Sequence, residues 1–236
     1  MAAVILAAIT PFKVSASPPG ADDVPDVPEV RQPVTPTVRL IETDSLGRWR
    51  PADYGGKGVC EVSDGVLSIG SGDPLTAVYW TGPFGTDADD ALPRTDYRLE
   101  WQARRTLGSD FFTTLTFPVG PDHCSLVIGG WGGMATGLST LNGMDAVENP
   151  TAGSMRFETD RWYRFSLAVR PDGISATVDG KPLFESVDPR EVSVGIRIEM
   201  EPAKPLSFSS YLSSGEIRGA TLTRLPQRKT PMPPSD

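Results

Sequence analysis

The residue types able to do chemistry in this 236-residue chain gather between positions 102 and 201. Gly129-Gly130-Trp131-Gly132-Gly133 sets one indole in backbone that few other residues would tolerate. An exposed Trp flanked in this way is a flat apolar platform of low entropic cost, on which the C–H face of a sugar ring can stack. The same run also suits a Trp buried at a sheet edge, with the glycines allowing close backbone approach. Asn142, Asp145, Glu148 and Asn149 follow in a polar loop. Short amides and carboxylates there could hydrogen-bond vicinal hydroxyls, or simply satisfy their own turns. They are also the oxygen donors that Ca²⁺ takes, but their spacing is not that of an EF-hand loop. No metal or cofactor is called for, and Ca²⁺ is the one ion the loop leaves open. Arg197 and Glu199 lie two apart in an alternating segment, so a strand would project both from one face. Asp110 and Gln102, from neighbouring strands, would add to a polar surface of both signs.

Catalytic patterns are sparse. Glycoside hydrolysis needs two carboxylates about 5 to 9.5 Å apart, and same-face strand residues stand ~6.6 Å apart at Cα. Glu199 with Glu201 could meet that distance, which makes Glu199 the catalytic candidate, although Glu201 precedes Pro202 at a strand end. His123, the single histidine, adjoins Cys124, and neighbours on a strand point to opposite faces, so neither a Ser nor a Cys triad forms. The phosphate-cradling pattern Gly-x-x-x-x-Gly-Lys is missing. Cys60 and Cys124 lack Cys-x-x-Cys spacing and fit either one disulfide or two free thiols.

Elements able to position these residues are all extended. The 24 glycines and 23 prolines speak for many turns and against a helical bundle. Eleven of the prolines fall in residues 1–37 and 226–236, where Phe12 is the single aromatic, so both ends read as linkers or tails around one domain at 38–225. Within it, Tyr97, Leu99, Trp101 and Ala103 alternate with polar residues, and the same period governs Tyr163 to Val169, Ile174 to Val178 and Val192 to Met200. Phe111, Thr113, Leu115 and Phe117 read as one face of a further strand. Shorter strands are expected at 38–42, 59–62, 66–69, 75–80 and 217–225. Pro171-Asp172-Gly173 and Asp179-Gly180-Lys181-Pro182 mark two tight hairpins. A dozen strands without helices must bury one face of each sheet against another sheet. The predicted fold is all-β, a jelly-roll sandwich of two antiparallel sheets, larger than an immunoglobulin sandwich.

Four stretches carry a resemblance: Asp64-Gly65-Val66-Leu67, Thr95-Asp96-Tyr97-Arg98-Leu99-Glu100-Trp101, Asp160-Arg161-Trp162-Tyr163 with Asp179-Gly180-Lys181, and Ile217-Arg218-Gly219-Ala220-Thr221-Leu222. In order and spacing they resemble the 3-keto-disaccharide hydrolase-like family of the concanavalin A-like lectin and glucanase superfamily. The resemblance implies a jelly roll binding sugar on its concave sheet and rim, and often an exported protein. Cys124-Ser125-Leu126-Val127 stands where members commonly carry Tyr-Glu-x-Gln, and a His-Gly near the last strands is absent.

Lys and Arg number 22 against 30 Asp and Glu, and the net charge of −8 opposes a general grip on nucleic acid or anionic lipid. Residues 2–9 form an apolar run, followed by Val14-Ser15-Ala16, the pattern of an export signal and far short of a bilayer span. The expectation is an exported carbohydrate-recognition domain binding a saccharide or polysaccharide on the concave sheet and the 131–149 rim. The alternatives are a hydrolase or lyase acting on 3-keto glycosides, as the resemblance implies, and a protein-interaction module.

Overall fold

The computed structural model describes residues 37–227 except Asp87 and Asp89. The apolar run at 2–9, most of the Pro-rich linker and the tail beyond 227 lie outside the described residues. The described residues form fifteen strands: β1 (Thr37–Arg39), β2 (Trp49–Pro51), β3 (Cys60–Ser63), β4 (Val66–Ile69), β5 (Leu75–Trp80), β6 (Tyr97–Leu107), β7 (Thr114–Val119) and β8 (Asp122–Gly129), then β9 (Ala135–Ser139), β10 (Gly153–Ser154), β11 (Tyr163–Arg170), β12 (Gly173–Val178), β13 (Lys181–Pro182), β14 (Ser207–Tyr211) and β15 (Ser214–Arg224). One sheet runs β13-β12-β11-β6-β15-β4-β3, with β1 also on β15; the other runs β10-β9-β8-β7-β14-β5-β2. Every strand pair is antiparallel, and the two sheets pack as a jelly-roll sandwich.

Alternation decides which side chains meet between the sheets. Tyr97, Leu99, Trp101 and Ala103 on β6 face Leu115, Phe117, Leu126 and Phe208 of the other sheet in one buried cluster. Trp101 stacks on Phe165 with ring centroids 5.3 Å apart, and its Nε1–H donates to Thr113 Oγ1 at 3.1 Å, so the indole enters the core with its polar atom satisfied. Both expected hairpins form. At the second, Asp179 (φ 48°) and Gly180 (φ 78°) are both left-handed, as the tight two-residue turn between twisted strands requires.

Two expected elements differ. Residues 192–200 are not a strand: Thr140 and Gly195 exchange backbone hydrogen bonds of 2.7 and 3.0 Å, after which the chain turns into a 3-10 helix, Ile198–Ala203. Pro202 and Pro205 lack the N–H groups a ladder needs. The alternating apolar residues have another use, because residues 192–206 form a strap across the outer face of the seven-stranded sheet. Met200 and Ala203 cover Ala77 and Ala52 there in a small second core, and the Tyr54 hydroxyl donates to the Glu199 carbonyl at 2.7 Å to tie the strap down. Phe111 also leaves its expected place. The chain breaks pairing before β7, so Leu115 and Phe117 enter the core while the Phe111 ring turns outward against Tyr211, 5.6 Å between centroids. Cys60 and Cys124 are free thiols, which burial raises to about 11 and about 12. Among the described residues no helix is long and apolar enough to cross a membrane.

Candidate functional site

Where the strap stops, the outer face of the seven-stranded sheet is open and forms a cleft of about 340 Å³. Its floor is made by outward residues of adjacent strands: Leu75 on β5, Thr114 on β7, Ser125 and Val127 on β8, and Ser139 on β9. Outward positions of a solvated sheet usually carry long charged side chains; here three carry short hydroxyls and two, Leu75 and Val127, are aliphatic, and all are nearly fully covered. The hydroxyls are partly engaged, Thr116 with Ser125 at 2.9 Å and Ser139 donating to Asp145 Oδ1 at 3.2 Å, and each can rotate to serve a further partner.

Trp131, Phe111 and Tyr211 supply the aromatic lining. Trp131 occupies a tight turn, Gly130–Gly133, in which Trp131 (φ 48°, ψ 52°) and Gly132 (φ 85°, ψ 17°) are left-handed. Gly133 (φ 108°) is required outright, since a Cβ there would lie 2.2 Å from the Ser109 carbonyl oxygen. Asp110 fastens this turn to the start of β7: Oδ2 accepts from the Gly132 N–H at 2.8 Å and Oδ1 from the Phe111 N–H at 2.7 Å. The indole keeps 49 % of its surface exposed, so it is not a core residue. Arg105 supports the turn from inside. Its guanidinium donates to the Phe157 and Asp110 carbonyls and lies 5.7 Å from the Phe112 ring centroid. Burial lowers its pKa, and its Nε–H has no partner among the described residues.

The charged lining comes from the strap and the loop beside it. Arg197 donates to Asp145 Oδ2 at 2.5 Å and to both Glu199 oxygens at 3.4 Å. The Glu199 backbone N–H, followed by the Arg197 guanidinium, lowers the Glu199 carboxyl below its ordinary value. Hydrogen bonding to Glu199 raises Arg197 in turn. A cleft with this lining can stack an apolar ring face, donate through a guanidinium and accept through carboxylates at once.

The structure brings Trp131, Asp110, Arg197 and Glu199 to the cleft and places Asp145 behind Arg197. Asn142 and Glu148 serve the loop itself: Asn142 Oδ1 accepts from the Ser193 N–H at 2.8 Å, and Glu148 Oε2 from the Asp145 N–H at 3.3 Å. Asn149, 4 % exposed, is fully used inside the protein. Its Nδ2 donates to the carbonyls of Leu138, Asp145 and Met144, and its Oδ1 accepts from the Thr151 N–H and hydroxyl. Gln102 lies elsewhere, on the outer face of the eight-stranded sheet, where it accepts from Arg218. Glu199 and Glu201 do not share a strand face, because the 3-10 helix turns them apart and Glu201 pairs with Lys204 at 2.5 Å. Sequence reasoning missed Phe111, Tyr211, Arg105 and the hydroxyl floor. Thr114, Ser125 and Ser139, short hydroxyls set among apolar residues of their strands, were the available signal for that floor. Among the described residues no group of three or more His, Cys, Asp or Glu side chains could hold a metal ion.

No family model matches the chain, and no curated protein matches it. Solved structures do. A candidate glycosyl hydrolase from Parabacteroides distasonis ATCC 8503 is similar at 11% identity over 80% of this chain and 94% of that one, with a TM-score of 0.49. A β-1,3-1,4-glucanase (lichenase) from a mouse hindgut metagenome is similar at 13% identity over 79% and 97% of the two chains, TM-score 0.46. A carbohydrate binding module from Bacillus subtilis is similar at 9% identity over 75% and 95%, TM-score 0.45.

Proposed function

We propose that the cleft is a saccharide-binding site and that the protein is a carbohydrate-recognition domain. One observation carries this: three aromatic rings, a guanidinium with two carboxylates, and a floor of three short hydroxyls set among aliphatic side chains line the same recess. Sugars present apolar C–H faces and rims of hydroxyls that donate and accept, so they use every part of that lining. Trp131 stacks the ring, Asp110 and Glu199 accept from hydroxyls, and Arg197 donates to ring or hydroxyl oxygens. Binding is favoured over hydrolysis because hydrolysis also needs a protonated carboxyl, and both cleft carboxylates are engaged as acceptors, Asp110 by the Phe111 and Gly132 N–H groups and Glu199 by Arg197. An exported location fits a glycan-binding role.

The test is a glycan-array screen of the full chain, followed by calorimetry and product analysis of each hit. Bound, intact ligand, with affinity lost in Arg197→Ala, is the expected result. Cleaved ligand, with cleavage abolished by Glu199→Gln, would establish the hydrolase instead, acting on 3-keto glycosides if those are the substrates cut. Ile198 at 79 % exposure and Val147 at 42 %, near the charged lining, also suit a protein partner. Silence across the array with capture of a protein on these residues would replace the saccharide.

A further inference from the structure

The outer face of the eight-stranded sheet carries a second ordered set of side chains, which the cleft does not use. Strands β11, β6 and β15 hold them in registered rows. Arg164, Gln102 and Arg218 form one row; Ser166, Glu100 and Thr221 the next; Ala168, Arg98 and Thr223 the last. Trp162, just before β11, begins the row of Arg104 and Glu216. With rows ~6.7 Å apart and strands ~4.8 Å apart, the four rows cover about 20 Å by 10 Å.

Charge on this face runs against that of the whole chain. Glu216 is committed to Arg104 at 2.7 Å. The Arg218 guanidinium lies 4.0 Å from the Trp162 ring centroid, that of Arg104 4.9 Å from the same ring, and Arg218 Nε and Nη2 donate to Gln102 Oε1 at 3.1 and 2.9 Å. Arg218 is therefore stacked and braced by neutral groups. No carboxylate pairs with Arg98, Arg164 or Arg218 among the described residues. The acids left nearby are Glu100, in the third row, Glu61 on β3 at the sheet edge, and Asp179, which is occupied by Arg161 at 3.3 Å and by the Arg164 backbone N–H at 2.9 Å.

We propose that this face is a second binding site, independent of the cleft, for an acidic polysaccharide whose carboxylates or sulfates pair with Arg218, Arg164 and Arg98. Guanidinium forks match such anions in a bidentate manner, and stacking on Trp162 fixes the plane of one fork in advance. A single extended glycan chain fits a strip about 10 Å wide. Duplex nucleic acid or an anionic bilayer is far wider and would meet the acidic remainder of a protein of net charge −8.

Calorimetric titration of the full chain with polygalacturonate, and in parallel with dextran sulfate, at 50 mM NaCl tests this. Binding of either polymer is expected, weakened at least tenfold at 200 mM NaCl and at least tenfold by Arg164→Ala with Arg218→Ala, while Trp131→Ala leaves it unchanged. Arg98→Ala with Arg164→Ala removes two exposed side chains and should cost at least threefold, which serves if the Arg218 variant does not fold. Polygalacturonate alone binding selects carboxylates; both binding extends the site to sulfates. Failure of both polymers to bind, unchanged affinity in the arginine variants, loss of binding in Trp131→Ala, or tighter binding of duplex DNA would overturn it.

Discussion

Replacing Trp131 by Ala and, separately, by Gly separates a ligand platform from a packing residue, because the two substitutions act differently on backbone and ligand. The side chain is 49 % exposed; taking up to about 250 Å² for a whole Trp, about 120 Å² is open to a ligand. At ~25 cal/mol per Å² this caps the stacking contribution at about 3 kcal/mol. Ordering of ligand and side chain lowers that to about 1 to 2 kcal/mol, roughly a five- to thirtyfold loss of affinity in both variants. Stability moves another way. Position 131 is left-handed at φ 48°, which costs an L-residue about 1 to 2 kcal/mol and glycine nothing, while glycine loses about 0.5 to 1 kcal/mol more chain entropy than alanine. Trp131→Gly should therefore be as stable as Trp131→Ala or up to about 1.5 kcal/mol more so, against the usual order. Urea denaturation gives the stability difference, and calorimetry with an array-selected glycan gives the affinities. Unchanged affinity in both variants would refute the platform, and alanine clearly more stable than glycine would refute the backbone argument at position 131.

Asn149→Ala removes the partners of three buried groups, the Leu138 carbonyl and the Thr151 N–H and hydroxyl. At about 1 kcal/mol or more for each, it should cost about 3 to 4 kcal/mol of unfolding free energy, and a loss below about 1 kcal/mol would show the loop is held otherwise. His123 is lowered from 6.5 to about 4 by burial, then by Arg94 and Lys204. Between those values the unfolded chain binds a proton the folded chain does not, so stability should fall as pH drops from 6.5 toward 4. His123→Gln should flatten that part of a denaturation-versus-pH series, and an NMR titration of the ring with a midpoint near 6.5 would contradict it.

Strand identity was legible where one sheet face is buried and the other is not, as in β6, whose Tyr97, Leu99, Trp101 and Ala103 are buried and alternate with outward polar residues. The turn residues Asp179 and Gly180 were legible for the same reason, since the hairpin requires their left-handed backbone. Alternation distinguishes inside from outside, but a sandwich has two outsides. Gln102 and Thr114 are both outward, and nothing local tells that one lies on the sheet with Trp162 and the other beneath the cleft. The strap shows a second limit. Val192, Val194 and Ile196 alternate because the extended chain packs one side against cores it does not join by strand pairing, leaving Arg197 for the cleft. Asn149 looked like a ligand because a saturated buried amide and a free one have the same letter; only the carbonyls around it distinguish them.

The pairing of β6 with β15 has a consequence for how the molecule comes into being. Tyr97 lies opposite Arg224 and Leu107 opposite Ser214, so the middle of the eight-stranded sheet joins segments more than a hundred residues apart. On a ribosome, β6, β11 and β12 can emerge and associate, but the place between β6 and β4 stays vacant until residue 224 has left the exit tunnel. Until then Leu67, Leu99 and Trp101 lack the cover of Ile217, Ala220 and Leu222. Such long-range closure is slow to nucleate and leaves apolar strand faces exposed in the interval. Nascent chains halted short of β15 should therefore be open, protease-sensitive and dependent on holdase chaperones, with the arginine face of the eight-stranded sheet assembling only when the last strand is inserted.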